Sequence, residues 1–221
     1  MGTSLSPNAL AVPTRTIQLI RHGATRLNND DVSVDRIRGW KDIPLSADGK
    51  KEAERLGREI AKNPPDFIAS SDLERAYDTA KAIADACDMA VGDVTKGFRP
   101  WNLGDFSGQL SKEAVPKIAL FACTKPDKKI PGGESFNSFK ARFFAALANV
   151  IRTHDGVVAI VTHHRGERLI KAWIKEGCPI SGDIDLKVFT KKGEATGSQE
   201  RIALPAAKVY AAARMAARAA R

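Results

Sequence analysis

Three of the four histidines in this chain, together with several arginines, follow short apolar segments. The residues in this setting are Arg21 and His22 after one segment, Arg75 shortly after a second, and His163, His164 and Arg165 after a third. Arginine forks match the oxygens of a phosphate group. A neutral imidazole, whose unperturbed pKa is about 6.5, is nucleophilic near neutral pH. The pattern therefore predicts an anion pocket, and a phosphate pocket in particular, that contains a nucleophilic histidine.

The elements that must position these residues follow from the hydrophobic pattern. The apolar segments, residues 16–20, 66–70 and Val157–Thr162, are typical of buried strands. Apolar residues at helical spacing predict helices at 46–63, 72–87, 134–153 and 166–176. Such alternation predicts an α/β fold, a three-layer sandwich in which helices cover both faces of a mostly parallel sheet. Ligands of open α/β sheets bind outside the carboxyl ends of the strands, which is where the histidines and arginines fall.

His22 is the predicted nucleophile of a covalent mechanism. Attack of its imidazole on phosphorus would leave a phosphohistidine and divide one difficult displacement into two easier ones. The surrounding cations would stabilise the negative charge on the equatorial oxygens of the transition state. Gly23, directly after the histidine, allows the backbone to approach closely.

Residues 21–28, Arg-His-Gly-Ala-Thr-Arg-Leu-Asn, resemble the Arg-His-Gly-x-Thr-x-x-Asn signature of the histidine phosphatase superfamily, also called the phosphoglycerate mutase-like family. Further segments resemble motifs of that family, in the family's order. They are residues 39–49, 70–80, 133–135 and 161–163. The resemblance extends from about Thr16 to about Trp173. It implies a phosphoglycerate mutase-like fold and a phosphoryl-transfer activity.

The resemblance also implies roles for the matching positions. His22 would be the nucleophile. The rest of the phosphate pocket would be Arg21, Arg75 and His163, with Thr25 and Asn28 along its edge. Taken singly, each of these residues has a plainer explanation, such as a surface arginine or a core histidine. The ordered set favours the functional interpretation.

The acid of the reaction is where the sequence departs from the family. The family usually has a glutamate proton donor four residues before a glycine, after the second helix. Pro100 occupies that position here and cannot transfer a proton. Asp105 is the nearest carboxylate and the predicted replacement, although a turn role after a glycine is the alternative, and Glu134 is the second candidate. A missing donor would narrow the substrate range rather than abolish the chemistry, since a good leaving group needs little help.

A second departure follows the second histidine, where the family most often has glycine and this chain has His164. We expect His164 at the edge of the pocket. A metal site made of His163 and His164 is not expected, because adjacent side chains on a strand point to opposite faces. The three widely separated cysteines and the carboxylates offer no ligand set either. The sequence therefore predicts neither a metal nor another cofactor.

The expected organisation is a single main domain with two accessory segments. It comprises a disordered leader over 1–14, a histidine phosphatase domain over 15–190 with a small, irregular cap insertion at about 109–132, and a loop with a basic Ala-rich segment over 191–221. The last stretch, residues 201–221, has five basic residues and no acidic one. It could form a helix with Arg214, Arg218 and Arg221 on one face. A solvated terminal helix is favoured over a binding role.

Composition limits the cellular setting and the partners. No apolar run reaches the roughly 20 residues that span a bilayer, and no signal-peptide pattern is present. Three cysteines without a pairing pattern favour a reducing, cytoplasmic location. The net charge of +9 suits anionic ligands, and the expected ones are a phosphorylated small molecule and inorganic phosphate. Nucleic acid is not expected, because the tail has no aromatic residue beyond Tyr210, and no pattern indicates an oligomeric state.

Three functions remain open at this point. The first is a phosphatase that hydrolyses a phosphomonoester with water as the final acceptor. The second is a mutase, which the resemblance associates with long insertions for a second phosphate, and residues 109–129 are too short for those. The third is a catalytically silent phosphate-binding protein, favoured by Pro100 and disfavoured by the intact His22 and His163. The hydrolase is the preferred interpretation.

Overall fold

A computed structural model describes residues 13–28, 34–190 and 195–220 of the chain. Most of the predicted leader, residues 1–12, and Arg221 therefore lie outside the described residues. Within them, the strands are β1 (Thr14–Arg21), β2 (Phe67–Ser71), β3 (Val94–Thr95), β4 (Val157–Thr162) and β5 (Gln199–Pro205). They form one sheet in the order β3-β2-β4-β1-β5. β1, β2, β3 and β4 run parallel, and β5 pairs with β1 in the antiparallel direction.

Helices cover both faces of this sheet. They are α1 (Ala47–Ile60), α2 (Glu74–Ala86), α3 (Ser111–Thr124), α4 (Phe136–Thr153), α5 (His164–Lys175), α6 (Leu186–Thr190) and α7 (Ala206–Ala219). Short 3₁₀ turns lie at Lys96–Phe98 and Gly104–Phe106. The predicted start of α1 is confirmed, because the Ser46 hydroxyl accepts the Gly49 N–H at 3.0 Å and caps the helix.

Side chains that alternate along the strands point to opposite faces of the sheet, so the core has two layers. In β1, Ile17 and Leu19 pack with α4, α5 and α7, whereas Ile20 packs with α1 and α2 on the opposite face. In β4, Ile160 and Val161 divide in the same way. Both faces of these strands are buried along most of their length, which explains why apolar residues predominate in them. The predicted three-layer α/β sandwich is confirmed.

Residues 199–219 form part of the main sheet and core, which the sequence does not indicate. β5 pairs along the whole of β1, and the Ala-rich segment forms α7, which packs against α4 with Val209 and Ala212 fully buried. The expected boundary at residue 190 therefore cuts through the fold, and α7 is not a solvated tail. Its exposed face does carry Arg214 and Arg218, as expected.

The predicted cap insertion at about 109–132 is helical rather than irregular. It contains α3, despite Pro116 in the helix interior, because Ala114, Ile118 and Ala122 are buried in the main core. Its first residues pair with residues 35–37, since the Ile37 N–H donates to the Gln109 carbonyl at 3.0 Å. Among the described helices, none is both long and apolar enough to cross a membrane.

Candidate active site

The carboxyl edge of the sheet brings His22 and His163 together. His22 directly follows β1, and His163 directly follows the neighbouring β4 as the N-cap of α5. Their ring centroids lie 5.0 Å apart with the planes at 61°. Both side chains are buried, at 3% and 2% exposure. The topology thus assembles one site from residues that are 141 positions apart (163 minus 22).

A hydrogen bond of the His22 ring determines which ring nitrogen carries the proton. Nδ1 lies 2.7 Å from the Gly23 carbonyl oxygen. A carbonyl only accepts, so this geometry assigns the proton to Nδ1 and leaves Nε2 with its lone pair. The backbone is held as well, because the His22 N–H donates to the Thr162 carbonyl at 3.1 Å and Gly197 N–H donates to the His22 carbonyl at 3.2 Å.

Gly23 permits this arrangement through its lack of a side chain. A Cβ at this position would meet the Gly49 carbonyl oxygen in the first turn of α1 at 2.4 Å. The Gly23 N–H donates to the Thr79 hydroxyl on α2 at 3.1 Å. The turn after His22 is therefore packed directly against two helices, and that packing holds the imidazole in place.

His163 is oriented by Ser71, the last residue of β2. The His163 Nε2 and the Ser71 hydroxyl lie 2.8 Å apart. His163 Nδ1 is buried, and no hydrogen-bond partner for it occurs in the described ranges 13–28, 34–190 and 195–220. A buried polar atom without a partner carries a desolvation cost, which a bound ligand can relieve.

Arg75 enters the same edge from α2 and is almost fully buried, at 1% exposure. Its Nη1 donates to the Lys41 carbonyl at 2.9 Å and its Nη2 donates to the Gly39 carbonyl at 3.1 Å. Its Nε is buried and has no hydrogen-bond partner among the described residues. Arg75 therefore holds the segment around residues 39–41 in place and keeps its Nε–H for another acceptor.

Burial and positive charge keep the two imidazoles neutral. Burial lowers the pKa of His22 well below its ordinary value, and the charges of Arg75 and Arg21 lower it further. The pKa of His163 is lowered in the same direction by burial, then by Arg75. Burial and the charge of Arg38 lower the pKa of Arg21 and of Arg75 to about 10 each. The site is thus a buried region of excess positive charge, which an anion would neutralise.

Thr25 and Asn28 form a turn that begins three residues after His22 in the chain. The Thr25 hydroxyl and N–H donate to the Asn28 side-chain oxygen at 2.8 and 2.9 Å, and the Asn28 N–H donates back to the Thr25 carbonyl at 2.9 Å. Thr25 is buried at 2% exposure. The structure therefore joins these residues to each other at the end of the signature segment, next to residues 29–33, which lie outside the described part of the chain.

His164 is half-buried and forms the first residue of α5, which starts two residues earlier than the expected 166. Burial lowers the pKa of His164 well below its ordinary value, and the charge of Arg21 lowers it further. His164 is thus close enough to Arg21 for their charges to interact. This position is compatible with the expected place at the edge of the pocket.

The structure does not join Asp105 to the histidines. Asp105 is exposed in the 3₁₀ turn Gly104–Phe106, its N–H donates to the Pro131 carbonyl at 3.0 Å, and its carboxylate lies against Gly132. No hydrogen bond or ion pair within the described residues connects it to His22. The position corresponds to the turn role that the sequence offered as the alternative.

Glu134 also differs from the expectation. Its carboxylate forms a two-pronged ion pair with Arg142, at 2.6 and 3.0 Å, and accepts the Asn102 N–H at 2.7 Å. Both side chains are largely buried, at 15% and 20% exposure. Arg142 in turn donates to the carbonyls of residues 96, 97, 99 and 100. The structure therefore gives Glu134 the role of supporting the loop around Pro100 rather than that of an acid or a substrate ligand.

We expect Glu134→Gln to lower the free energy of unfolding by about 2 kcal/mol, because a charge-assisted pair is replaced by a neutral hydrogen bond and Arg142 loses its counter-ion. Urea denaturation of the variant and of a matched surface control, Glu59→Gln, measures the effect. The control should lose well under about 1 kcal/mol, since its pair with Arg55 is exposed. Equal losses in the two variants would contradict this role for Glu134.

Sequence reasoning missed three residues that shape the site. Ser71 orients His163, Arg38 acts electrostatically on both pocket arginines and on His22, and Arg142 fixes the loop that contains Pro100. Ser71 and Arg38 lie inside or beside segments that match the family motifs, which was the available signal. Arg142 lies on a helix among apolar residues, and only the fold shows its partners.

No group of three or more metal-ligating side chains occurs in the described part of the chain. The site presents an imidazole whose pKa is lowered by burial and by the charges of Arg75 and Arg21, and whose Nδ1 is engaged by the Gly23 carbonyl. Such an imidazole can attack phosphorus, and the arginines can bind the phosphoryl oxygens.

Comparisons with known proteins agree with this chemistry. The model of the histidine phosphatase superfamily, branch 1, matches residues 17–189. A metal-independent phosphoserine phosphatase of Arabidopsis thaliana is 35% identical over 159 residues, which cover 68% of this chain and 64% of that protein. Phosphoglycerate mutase-like protein 4 of the same plant is 32% identical over 68% of this chain and 66% of its own length. The chain thus spans slightly less than two thirds of these two relatives.

A further relative has a longer match. "Probable phosphoglycerate mutase GpmB" of Salmonella typhi is 31% identical over 185 residues, which cover 80% of this chain and 78% of that protein. Among solved structures, mycobacterial glucosyl-3-phosphoglycerate phosphatase aligns with a TM-score of 0.67 at 25% identity, over 86% of this chain and 91% of that chain. The same phosphatase has been solved with inorganic phosphate, with a TM-score of 0.62 to this chain at 25% identity, over 85% of this chain and 88% of that one. Because the family model matches residues 17–189, the chain belongs to the histidine phosphatase superfamily.

Proposed function

We propose that this protein is a phosphatase that hydrolyses a phosphomonoester through a phosphohistidine on His22. The observation that carries the proposal is the arrangement of the His22 Nε2 lone pair beside two buried nitrogens, Arg75 Nε and His163 Nδ1, for which the described residues provide no hydrogen-bond partner. A phosphoryl group bound there would offer its oxygens to both nitrogens. It would also offset the positive charge that depresses the pKa values of the site.

In the proposed first step, His22 Nε2 attacks phosphorus. The N–P bond forms as the P–O bond to the leaving group breaks, and the electron pair of that bond goes to the leaving oxygen. Arg21, Arg75 and His163 stabilise the charge on the equatorial oxygens. The Gly23 carbonyl, which accepts a hydrogen bond from Nδ1–H, supports the positive charge that the ring acquires.

In the second step, water attacks the phosphohistidine, and the N–P bond breaks to return the neutral imidazole and release inorganic phosphate. A phosphorylated small molecule is thus the proposed substrate. The solved phosphate complex of a relative that is itself a phosphatase supports the assignment of phosphate as a ligand. The proposed location is the cytoplasm, because three cysteines without a disulfide suit a reducing compartment.

The leaving group of the substrate receives little help from Asp105 in this proposal. We expect Asp105→Asn to change kcat for an aryl phosphate, such as p-nitrophenyl phosphate, and for an alkyl phosphate by the same small factor, below about threefold, because the carboxylate lies against Gly132. A general acid would instead slow only the alkyl phosphate, by about 10²–10⁴-fold. Such a selective loss, measured in parallel on the two substrates, would restore Asp105 as the acid.

A silent binding protein and a mutase are the alternatives to hydrolysis. One experiment separates the three functions: a panel of phosphomonoesters is incubated with wild type and with His22→Ala, with EDTA present, and inorganic phosphate is measured. We expect wild type, and not the variant, to release phosphate. Transfer of labelled phosphoryl to a second hydroxyl of the substrate, without phosphate release, would indicate a mutase. Binding of vanadate without any turnover would indicate a silent protein.

A further inference from the structure

A surface groove between α1 and α2 carries charges of alternating sign along both of its sides. It has a volume of about 480 Å³, and its two helices cover the face of the sheet opposite to α4 and α7. Its apolar lining consists of Leu45, Ala53, Ala82 and Ala86. Its charged lining consists of two rims, Lys50, Glu54 and Arg58 on α1 and Asp78, Lys81 and Asp85 on α2. The proposed reaction uses none of these residues.

The two helices run in the same direction, so the rims can be compared level by level. Gly49 of α1 and Thr79 of α2 both contact the turn after the nucleophile. Further along both helices, a Cβ at Gly57 would meet the Ala82 carbonyl oxygen at 2.7 Å and the Ala86 Cβ at 3.1 Å. A residue of α2 is therefore level with the residue of α1 that precedes it by roughly 28 positions.

Opposite charges lie at each level of the groove. The levels combine Lys50 with Asp78, Glu54 with Lys81, and Arg58 with Asp85. The sign pattern of the α1 rim is thus the inverse of the pattern of the α2 rim. In the part of the chain that the structure describes, Lys81 pairs with Asp85, and the side chains of the other four form no ion pair: Lys50, Glu54, Arg58 and Asp78. A partner with the same inverted pattern would supply counter-ions to all of them.

We propose that this groove is the interface of a symmetric dimer, in which a second copy of the chain binds about a two-fold axis that runs along the groove. Such an axis keeps the level of every residue and exchanges the rims, so α1 of one copy lies on α2 of the other. Lys50 of one copy then meets Asp78 of the other, and the other two levels bring opposite charges together in the same way. The dimer is independent of the proposed reaction, because no rim residue belongs to the site at the carboxyl edge of the sheet.

The charges also exclude the other symmetric arrangement of two facing grooves. A two-fold axis that crossed the groove would reverse the order of the levels and place each rim on its own copy. Lys50 would then lie on Arg58, and Glu54 would lie on the Glu54 of the other copy. Like charges in contact across an interface are costly, so the charge pattern specifies the axis along the groove.

Sedimentation analysis of the full chain tests the dimer. Over a range of roughly 1–200 µM, wild type is expected to change from the mass of one chain to twice that mass, and added salt should weaken the association. Lys50→Glu and Asp78→Lys each place like charges at two symmetry-related contacts, so each should weaken the dimer by about tenfold or more. Lys117→Glu, an equal charge change on the exposed side of α3, should dimerise as wild type does.

An equal mixture of the two weakened variants separates the interface from effects within one chain. In a dimer of one Lys50→Glu copy and one Asp78→Lys copy, the two substituted positions meet with opposite charges, and native Lys50 meets native Asp78. The mixture is therefore expected to dimerise with nearly wild-type affinity. Wild type that stays monomeric throughout, a dimer that the single variants do not weaken, or a mixture as weak as its components would each overturn the proposal.

Discussion

Replacing His22 by alanine is expected to reduce phosphomonoester hydrolysis by at least about 10⁴-fold, because the variant loses the atom that forms the covalent bond to phosphorus. The reason lies in the geometry. His22 Nε2 is the ring nitrogen that remains free once Nδ1 donates to the Gly23 carbonyl, and burial with two neighbouring arginines keeps the ring neutral. Measurement of kcat/KM on one aryl phosphate is sufficient.

The matched control is His154→Ala. His154 is the one histidine outside the strand-end cluster, and it stacks on Phe67 at the amino end of the sheet, with ring centroids 3.4 Å apart. This control should retain activity within about threefold even if it loses some stability, and circular dichroism shows whether each variant is folded. A folded His22→Ala protein with near wild-type activity would remove His22 from the chemistry.

The second large effect concerns Arg75. Arg75→Ala is expected to weaken vanadate and phosphate binding by roughly 10- to 150-fold, the equivalent of about 1.5–3 kcal/mol for one charged contact. The loss has two sources. The pocket loses a buried positive charge, and the carbonyls of Lys41 and Gly39 lose their donors. Competition with an aryl phosphate substrate measures the inhibition constants.

Two companion variants separate these sources. Arg75→Lys keeps the charge but cannot supply the planar fork that reaches both carbonyls, so we expect an intermediate loss. Arg58→Ala, on the exposed side of α1, removes one positive charge, as Arg75→Ala does, and should leave vanadate inhibition unchanged. Unchanged vanadate inhibition in Arg75→Ala would place the anion elsewhere in the molecule.

Much of the fold follows from local patterns in the sequence. The strands β1, β2 and β4 are largely buried on both faces, so each contains a short apolar run that is easy to detect. β5 escaped detection because it is an edge strand: its pattern is mostly exposed, and only Ile202 and Leu204 are buried. α3 escaped because Pro116 argues against a helix, and the burial of its apolar face in the tertiary structure outweighs that cost.

The sequence could likewise locate some residues of the site and not others. Residues at strand ends, such as His22 and His163, could be located because the topology of a parallel sheet places such ends together. The roles of Asp105 and Glu134 could not, because they depend on which partner each carboxylate meets. The partner of Glu134 is Arg142, which lies eight residues further along the chain, in α4, and a sequence contains many equally spaced pairs that never meet.

The position of the trapped phosphoryl group is the most direct test of the proposed phosphohistidine on His22. Wild type is mixed rapidly with substrate, quenched in alkali because phosphohistidine is acid-labile, digested with trypsin and examined by mass spectrometry and ³¹P NMR. We expect phosphate on the peptide 22–26, at Nε2 of His22, and no such adduct in His22→Ala. Phosphate on Nδ1 of His22, on His163, or on a serine or cysteine would contradict it.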